Sequence, residues 1–380
     1  MAAVTLSEVA RAAGVSPATA SRVLNGSSRI PGADIAERVR AAAAALGYIA
    51  NAQAQALARS SSGLLGLIVH DIADPYFSSI ARGVQSAARE LGKTLLLICT
   101  EGTPAEERLA VEAFTSRRTD AIVLAGSRST RPEDDADNAA LLRESERYLA
   151  NGGRLVLVGH DLIDSRADAG RSPDDRSTRT PDGSSDRSGD AVGSARVDAR
   201  SSHLVIDIPN ETLAVDLAQS LARLGHQRFA VIAGPEGLMT SDLRLAGFQR
   251  GLRKAGLAPA EVTRAAFNRD GGFKAGLSLE AGVRAAASEG SRLCIFAVND
   301  RMAMGVVAAL RQQGLEAPTS YTIAGFDDIP TLEDFFPGLT TVRLPLEDIG
   351  RTAAEAALID AQRVPVGGGV VLRDSTGSPA

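Results

Sequence analysis

The chain has 380 residues, of which 44% are hydrophobic and 23% are charged. This length is enough for two or three domains, and the composition is that of a soluble globular protein, which excludes a disordered or collagen-like chain. No apolar run reaches the roughly 18 to 20 residues of a membrane span, and residues 1–20 lack the layout of a secretory signal. We therefore expect a cytoplasmic protein without a membrane partner.

The net charge of −5 is distributed unevenly along the chain. Residues 1–60 carry six arginines and three acids, a net charge of +3, which leaves −8 for the remainder. A basic head on an acidic body confines the attraction for phosphate groups to one end of the molecule.

The sequence offers little material for catalysis or metal binding. Cys99 and Cys294 lie in apolar runs and are predicted to be buried free thiols. There is no Gly-rich phosphate loop and no Gly-x-Ser-x-Gly elbow, and the four histidines are scattered. We predict that the protein is not an enzyme and that it has no catalytic residues, no metal site and no cofactor.

The first fifty residues are predicted to form three short helices. Residues 5–8 form a Ser/Thr-x-x-Glu capping box that starts a helix running to about Ala12. Ser16 suits the N-cap of a second helix, with Pro17 as its first residue and Asn25 near its end. A third helix is indicated by apolar residues at helical spacing, namely Ile35, Val39, Ala42, Ala43 and Leu46.

The second helix carries groups that suit the major groove of DNA. The guanidinium of Arg22 can bind guanine O6 and N7 together, and Ala18 and the Pro17 ring can contact a thymine methyl. Small polar residues around the helix ends suit phosphate oxygens, and these are Thr5, Ser16, Thr19, Ser21 and Asn25. Thr5 and Ser16 also have a purely structural interpretation as helix caps, and the whole unit can be interpreted as a plain three-helix bundle.

From Leu64 onward, short apolar runs alternate with helical stretches such as Ile80 to Leu91 and Glu106 to Phe114. Continuous apolar strands separated by helices are typical of parallel sheets covered on both faces, so we predict two doubly wound α/β subdomains with a ligand cleft between them. The predicted strands are Leu64–Val69, Leu95–Ile98, Ala121–Leu124, Leu155–Val158, Leu204–Ile206, Phe229–Ile232, Leu293–Val298 and Thr322–Ala324.

One long stretch does not follow this pattern. Ser165 to Ser201 is rich in Ser, Asp and Arg, and Val192 and Val197 are its only large apolar residues. Such a segment cannot bury a core, so it is predicted to be a disordered insertion.

Residues 5–26 closely resemble the DNA-binding head of the lac repressor family (LacI/GalR type) of transcription regulators, and residues 46–51 resemble the entry to that family's hinge. The resemblance continues in family order through residues 66–77, 224–235, 244–248, 297–305, 324–330, 339–343 and 371–376. It implies a helix-turn-helix head and a core like that of the periplasmic binding proteins.

The resemblance also implies roles for the connector after the head. Residues 51–58 resemble the hinge helix of the family, which makes Leu57 the candidate apolar wedge in the minor groove; the alternative for Leu57 is a packing residue. Leu6 and Asn51 complete the predicted DNA-contacting set.

By motif, the effector-binding residues of the family correspond to Arg244, Asn299 and Asp327. Arg244 donates, Asp327 accepts and Asn299 does both, which suits a sugar-like ligand. The alternatives are that Asn299 and Asp327 are only helix N-caps and that Phe77 is a core residue. The other candidates for the pocket are Asp71, Tyr76, Phe77, Ser127, His160 and Asp161.

The predicted domains are a head over 1–50, a hinge over 51–62, a first core subdomain over 63–161 and 203–226 with 341–361 returning to it, an insertion over 165–201, a second core subdomain over 227–340 and a C-terminal segment over 362–380. The predicted function is a repressor that binds a near-palindromic operator in double-stranded DNA as a homodimer, under the control of a small molecule, a sugar. The alternative is a solute-binding receptor of the periplasmic type without DNA function.

Overall fold

A computed structural model of the chain describes residues 4–25, 31–49, 61–164, 192–193, 195–197, 203–359 and 366–377. The chain divides into two compact units, Met1–Gly63 and Leu64–Ala380. The predicted fold class, a helical head followed by an α/β core, is confirmed.

The first unit contains the three predicted helices, α1 (Leu6–Ala13), α2 (Pro17–Asn25) and α3 (Ala33–Leu46). The capping box forms, because the Thr5 hydroxyl accepts the Glu8 N–H at 3.3 Å and the Glu8 carboxylate accepts the Thr5 N–H at 2.7 Å. Gly14 ends α1 with a φ of 66°, a conformation that favours glycine. The helices pack around a small apolar core: Val9, Ala10, Ala13, Ala20, Val39 and Ala43.

The second unit begins with a six-stranded sheet. Its strands are β1 (Leu64–Val69), β2 (Thr94–Cys99), β3 (Ala121–Gly126), β4 (Arg154–Gly159), β6 (Ala195–Val197) and β7 (Leu204–Asp207), in the spatial order β2-β1-β3-β4-β7-β6. All neighbours are parallel except β6, which pairs antiparallel with β7. The helices α4 (Pro75–Glu90), α5 (Pro104–Ser116), α6 (Asp135–Ala150) and α12 (Leu346–Leu358) cover it. We call this sheet with its four helices the first subdomain.

The second subdomain is built on a four-stranded parallel sheet, β11-β10-β8-β9, formed by β8 (Arg228–Ala233), β9 (Glu261–Arg264), β10 (Leu293–Ala297) and β11 (Thr322–Ala324). The helices α7 (Asn210–Arg223), α8 (Met239–Lys254), α9 (Arg269–Ser278), α10 (Glu280–Ser288) and α11 (Asp300–Gln312) belong to it. Its central strand β10 is completely buried from Cys294 to Ala297, as its continuous apolar sequence predicts.

The predicted first subdomain extends too far at residue 226, because α7 packs on α8 of the second subdomain. The two helices approach closely at Gly247 and Gly251 of α8, where a Cβ on Gly247 would lie 2.2 Å from the Glu211 carbonyl oxygen. The chain therefore crosses from the first subdomain to the second at Ile208 and Pro209, directly after β7. It returns between β12 (Thr341–Arg343) and α12.

The prediction of a wholly disordered insertion is wrong for residues 192–193 and 195–197, which form strands. β5 (Val192–Gly193) pairs with β13 (Val366–Gly367), and β6 extends the first sheet. Without β6, β7 would be the edge of this sheet, and the pairing of β6 satisfies backbone groups of β7 that would otherwise be left unpaired. Residues 165–191 lie outside the described part of the chain.

The C-terminal segment is anchored to the second subdomain. β14 (Gly369–Val371) pairs antiparallel with β12, and the Ser375 hydroxyl donates to the Ile323 carbonyl at 2.7 Å. None of the helices in the described ranges combines the length and apolarity needed to cross a bilayer.

Of the two cysteines, Cys294 is buried but Cys99 is exposed, so the prediction of two buried thiols is wrong for Cys99. β2 is the edge strand of its sheet and is only partly covered, which its apolar sequence does not reveal. Burial raises the pKa of the Cys294 thiol to about 12.

Candidate functional site

The exposed face of α2 is the candidate DNA-reading surface of the first unit. Ala20 is fully buried against the head core, and Ala18 and Arg22 lie on the opposite side of the helix, exposed to solvent. Pro17 is exposed in the first turn. This placement leaves the guanidinium of Arg22, the Ala18 methyl group and the Pro17 ring accessible to a partner as large as a DNA duplex.

The small polar residues of the head have structural partners as well. The Ser16 hydroxyl accepts the Thr19 N–H at 3.1 Å and lies 2.9 Å from the Thr19 hydroxyl, so Ser16 caps α2 as Thr5 caps α1. The Asn25 amide donates to the Ser21 hydroxyl at 2.9 Å. Leu6 is partly buried against the head core. Asn51 and Leu57 lie outside the described residues, so their roles stay predictions.

A cavity of about 650 Å³ lies between the two subdomains. It is bounded by the carboxyl ends of strands from both sheets and by the helices that follow them, which is where α/β folds bind ligands. Seven of the nine predicted pocket residues line it, namely Asp71, Tyr76, Phe77, Ser127, Arg244, Asn299 and Asp327.

Arg244 is held rigidly at the floor of the cavity by three hydrogen bonds. Its Nε donates to Asn210 Oδ1, its Nη1 to the Val298 carbonyl and its Nη2 to Asp327 Oδ1, each at 2.8 Å. Its Cζ lies 3.9 Å from the centre of the Phe326 ring. With only 2% of the residue exposed, the planar guanidinium is fixed in one orientation before any ligand arrives.

Two buried carboxyl groups lie close together behind this arginine. Burial raises the pKa of Asp327 to about 6, although Arg244 opposes the shift. Burial and the neighbouring charge of Asp327 raise the pKa of Asp300 well above its usual value, while hydrogen bonds from Thr341 and Ile329 oppose that shift. The backbone of Asp327 has a φ of 114°, which residues other than glycine rarely adopt. The surrounding fold therefore holds Asp327 in this conformation.

Among the helices that begin at the cavity, three have a lining N-cap residue whose side chain accepts a backbone N–H of the helix. Asn299 Oδ1 accepts the Met302 N–H at 2.7 Å, Asn268 Oδ1 accepts the Gly271 N–H at 2.8 Å, and Asp74 Oδ1 accepts the Tyr76 N–H at 3.0 Å. Asn299 is thus both a cap and a lining residue. Because the oxygens of Asn299 and Asn268 are already used, their amide N–H groups are the donors that remain for a ligand.

The first subdomain contributes aromatic rings and His70. The Tyr76 and Phe77 rings pack edge to face with centres 5.0 Å apart, and Phe77 belongs to the core as well as to the cavity wall. The space for the His70 ring depends on Gly126, where a Cβ would lie 2.0 Å from His70 Nε2.

Behind His70 lies a buried ion pair. Arg128 Nη1 donates to both carboxylate oxygens of Glu107 at 2.8 and 2.9 Å, and both side chains are at most 2% exposed. Burial alone raises the pKa of Glu107, but the charge of Arg128 brings it below its usual value. The carboxylate is therefore ionised and 3.4 Å from His70 Nε2, where it can orient the ring.

His160 and Asp161 do not line the cavity, contrary to the prediction. The chain turns after Gly159, which does line it, so that His160 Nε2 lies 2.8 Å from the Thr240 hydroxyl and Asp161 lies 2.6 Å from His203. Burial, together with the charge of Arg128, lowers the pKa of His160 to about 3, so the ring is neutral. His160 therefore supports Thr240, a lining residue, from the opposite subdomain.

The cavity also has lining residues that were not predicted from the sequence, among them His70, Asp74, Asn210, Thr240, Asn268 and Arg301. Asp74 and Asn268 had a usable signal, because an Asp or Asn before a helix start predicts an N-cap. Arg301 had no such signal, because its partner Asp74 is 227 positions away.

Three family models match parts of the chain. Residues 5–51 match the model of bacterial regulatory proteins of the lacI family. Residues 62–140 match the model of periplasmic binding proteins and the sugar binding domain of the LacI family, and residues 218–376 match a periplasmic binding protein-like domain.

Curated relatives align over nearly the whole length of the chain. The HTH-type transcriptional regulator GalS of Salmonella typhimurium is 28% identical over 360 residues, which cover 93% of this chain and 89% of that protein. The ribose operon repressor of Escherichia coli is 29% identical over 359 residues, which cover 93% and 92%.

Among solved structures, the lac repressor dimer bound to operator and the anti-inducer ONPF matches with a TM-score of 0.73. The sequence identity is 24%, and the match covers 99% of each chain. At this identity the likeness establishes the fold.

Proposed function

We propose that this chain is a cytoplasmic repressor of the lacI family of bacterial regulatory proteins. In this proposal, a sugar-like molecule in the cavity between its subdomains controls its affinity for a near-palindromic operator. The observation that carries the proposal is the combination, in one chain, of an exposed Arg22 on a basic head and a cavity with a rigidly held Arg244. The alternative, a solute-binding receptor without DNA function, gives no role to the helical head at residues 5–51.

DNA recognition is assigned to the head. A near-palindromic site follows from a twofold dimer, because each head reads one half-site. In this proposal Arg22 reads a guanine and Ala18 and Pro17 contact methyl groups, while Thr5, Ser16, Thr19, Ser21 and Asn25 position the head on phosphates. Asn51 and Leu57 extend the contact into the minor groove.

Effector binding is assigned to the cavity. Arg244, the amide of Asn299 and the carboxylate of Asp327 present donors and an acceptor in fixed positions, and Tyr76 and Phe77 offer an apolar face, a combination that suits a polyhydroxylated ring. The relatives named above include a ribose operon repressor, which supports a sugar as the effector class. We assign no catalytic role to any of these residues.

Coupling between the two sites depends on contacts between the subdomains. The Met239 N–H donates to the Arg128 carbonyl at 3.0 Å, and the Thr130 N–H donates to the Gly237 carbonyl at 2.8 Å. A ligand that touches both subdomains shifts the population toward one relative arrangement of them, and the coupling free energy is the difference in its affinity for the two arrangements.

The proposal is tested by selecting duplexes from a random-sequence pool with the full-length protein. We expect enrichment of a near-palindromic sequence, bound with an affinity that falls steeply as the salt concentration rises, because Arg side chains displace counterions from phosphates. Equal affinity for every duplex at low salt would contradict sequence-specific regulation.

A further inference from the structure

Arg301 reaches across the mouth of the cavity from one subdomain to the other. It lies in the first turn of α11 in the second subdomain, and its Nη1 is 3.0 Å from Oδ2 of Asp74, the N-cap of α4 in the first subdomain. A second acid of the first subdomain, Asp71, has its Oδ2 at 3.9 Å from the same nitrogen. The side chains of Arg301 and Asp74 are 29% and 17% exposed, so the pair lies at the boundary between the cavity and solvent.

The position of Asp74 is set by its own helix. Oδ1 is used by the Tyr76 N–H, so Oδ2 is the oxygen that points to the partner. A carboxylate held as an N-cap cannot follow Arg301 when the subdomains separate. The ion pair therefore exists only while the two subdomains are as close as they are here.

This pair also decides which charges a ligand meets. Two guanidinium groups line the cavity among the described residues, those of Arg244 and Arg301, and both are engaged with carboxylates of the protein. Four acids line it, namely Asp71, Asp74, Glu101 and Asp327. A phosphate or carboxylate in this cavity would face an excess of negative charge and would have to take an arginine from its partner.

We propose that Arg301 is a specificity-determining residue, which closes the mouth of the cavity over an uncharged polyhydroxylated ligand by pairing with Asp74 and is thereby withheld from anionic ligands. The proposal rests on the proposed function in taking the cavity as the effector site. It adds the charge class of the ligand and the residue that sets it.

The first test needs neither DNA nor effector, so its failure is separate from a failure of the repressor assignment. Arg301→Gln, Asp74→Asn and the double variant are compared by melting temperature in the full-length protein; Asn preserves the N-cap. We expect each single variant to lower the melting temperature and the double variant to lower it no further than the more affected single variant. Strictly additive changes would show that the pair is not formed in solution. Arg253→Gln, at an exposed position in the last turn of α8, controls for the loss of one positive charge.

The second test compares neutral sugars with their phosphates by thermal shift, using ribose with ribose 5-phosphate and glucose or galactose with their 6-phosphates. For each sugar that raises the melting temperature of the wild type, we expect its phosphate at equal concentration to raise it by at least tenfold less. Asp74→Asn releases Arg301 and should reduce the difference between the melting-temperature shifts that a sugar and its phosphate produce. Arg253→Gln should leave this difference unchanged. A phosphate that stabilises the wild type more strongly than its parent sugar would overturn the proposal.

Discussion

Nη2 of Arg244 lies 2.8 Å from Oδ1 of Asp327, although the two residues are 83 positions apart in the chain. Arg244 comes from the second turn of α8 and Asp327 from the loop after β11, and both are at most 5% exposed. The contact fixes a donor and an acceptor side by side on the cavity floor. Such an arrangement suits adjacent hydroxyl groups of a ligand and is already formed in the protein without one.

Replacing Arg244 with Lys should weaken effector binding by at least tenfold and lower stability by about 1–3 kcal/mol. An ammonium group cannot reproduce the planar fork, so at least one of the buried acceptors on Asn210, Val298 and Asp327 loses its partner. Calorimetric titration with the effector and chemical denaturation measure the two effects. Arg253→Lys is the surface control, and an unchanged affinity in Arg244→Lys would remove this residue from the site.

The buried acids give the protein a specific pH dependence. The pKa of Asp327 is raised to about 6 by burial, and that of Asp300 is raised as well, so these two carboxyls bind more protons in the folded state than in the unfolded state above pH 4. The contribution of Asp327 to stability is therefore fully present below the unfolded pKa of about 3.9 and is lost as the pH rises through about 6. That of Asp300 is likewise lost as the pH rises above the unfolded pKa.

Asp300→Asn should remove much of this loss. The amide can keep both hydrogen bonds, accepting from the Ile329 N–H and donating to the Thr341 hydroxyl. The melting temperature of the variant relative to the wild type should rise by about 2 °C or more between pH 5 and pH 8. Asp270→Asn, at a side chain that is 83% exposed, should follow the wild type. A constant difference across this range would contradict the assignment of buried, titrating carboxyls.

The crossing of α4 and α12 should tolerate no side chain at Gly350. A Cβ there would lie 2.0 Å from the Ile80 carbonyl oxygen, and one on Gly83 of the facing helix would lie 1.9 Å from the Glu347 oxygen. Gly350→Ala should therefore destabilise the core by about 1–3 kcal/mol in urea denaturation. Gly282→Ala is the matched control in an exposed turn of α10, where the added Cβ meets only Leu293 at 3.9 Å, and it should stabilise by about 0.5–1 kcal/mol. Equal effects of the two substitutions would show that this crossing is looser than described.

Arg22→Ala should separate specific from general DNA binding. A bidentate contact to guanine is worth about 1–3 kcal/mol, so affinity for the selected sequence should fall roughly tenfold to a hundredfold while affinity for unrelated duplex changes little. Fluorescence anisotropy with both duplexes measures the ratio. The control, Arg253→Ala, removes one positive charge at a position outside the head and should leave the ratio of the two affinities unchanged. An equal loss on both duplexes would make Arg22 a phosphate contact.

The parts of the structure that follow from local chemistry were predictable from the sequence. The capping box at Thr5 and Glu8 and the fully buried strand β10 depend on neighbours within a few residues or on a continuous apolar run. Cys99 was mispredicted because an apolar edge strand has the same sequence pattern as a central one. The packing of α7 depends on glycines of α8 that lie more than thirty positions away.

The cavity was only partly predictable for the same reason. Asn299 begins α11, Asp327 follows β11, and Arg244 lies in the second turn of the helix that follows β8, so their placement in the cavity follows from the fold class. The turn that takes His160 out of the cavity toward Thr240 and the pairing of Arg301 with Asp74 arise from contacts between subdomains. Sequence spacing does not encode those contacts.

Regulation by a sugar is tested by measuring operator affinity with and without a sugar that stabilises the wild-type core. We expect the sugar to change the dissociation constant of the selected duplex by at least about fivefold, the lower end of typical allosteric coupling. The same sugar should have no effect on Asp327→Asn, which should still bind the duplex. A sugar that occupies the cavity and leaves operator affinity unchanged in the wild type would contradict the proposed regulation.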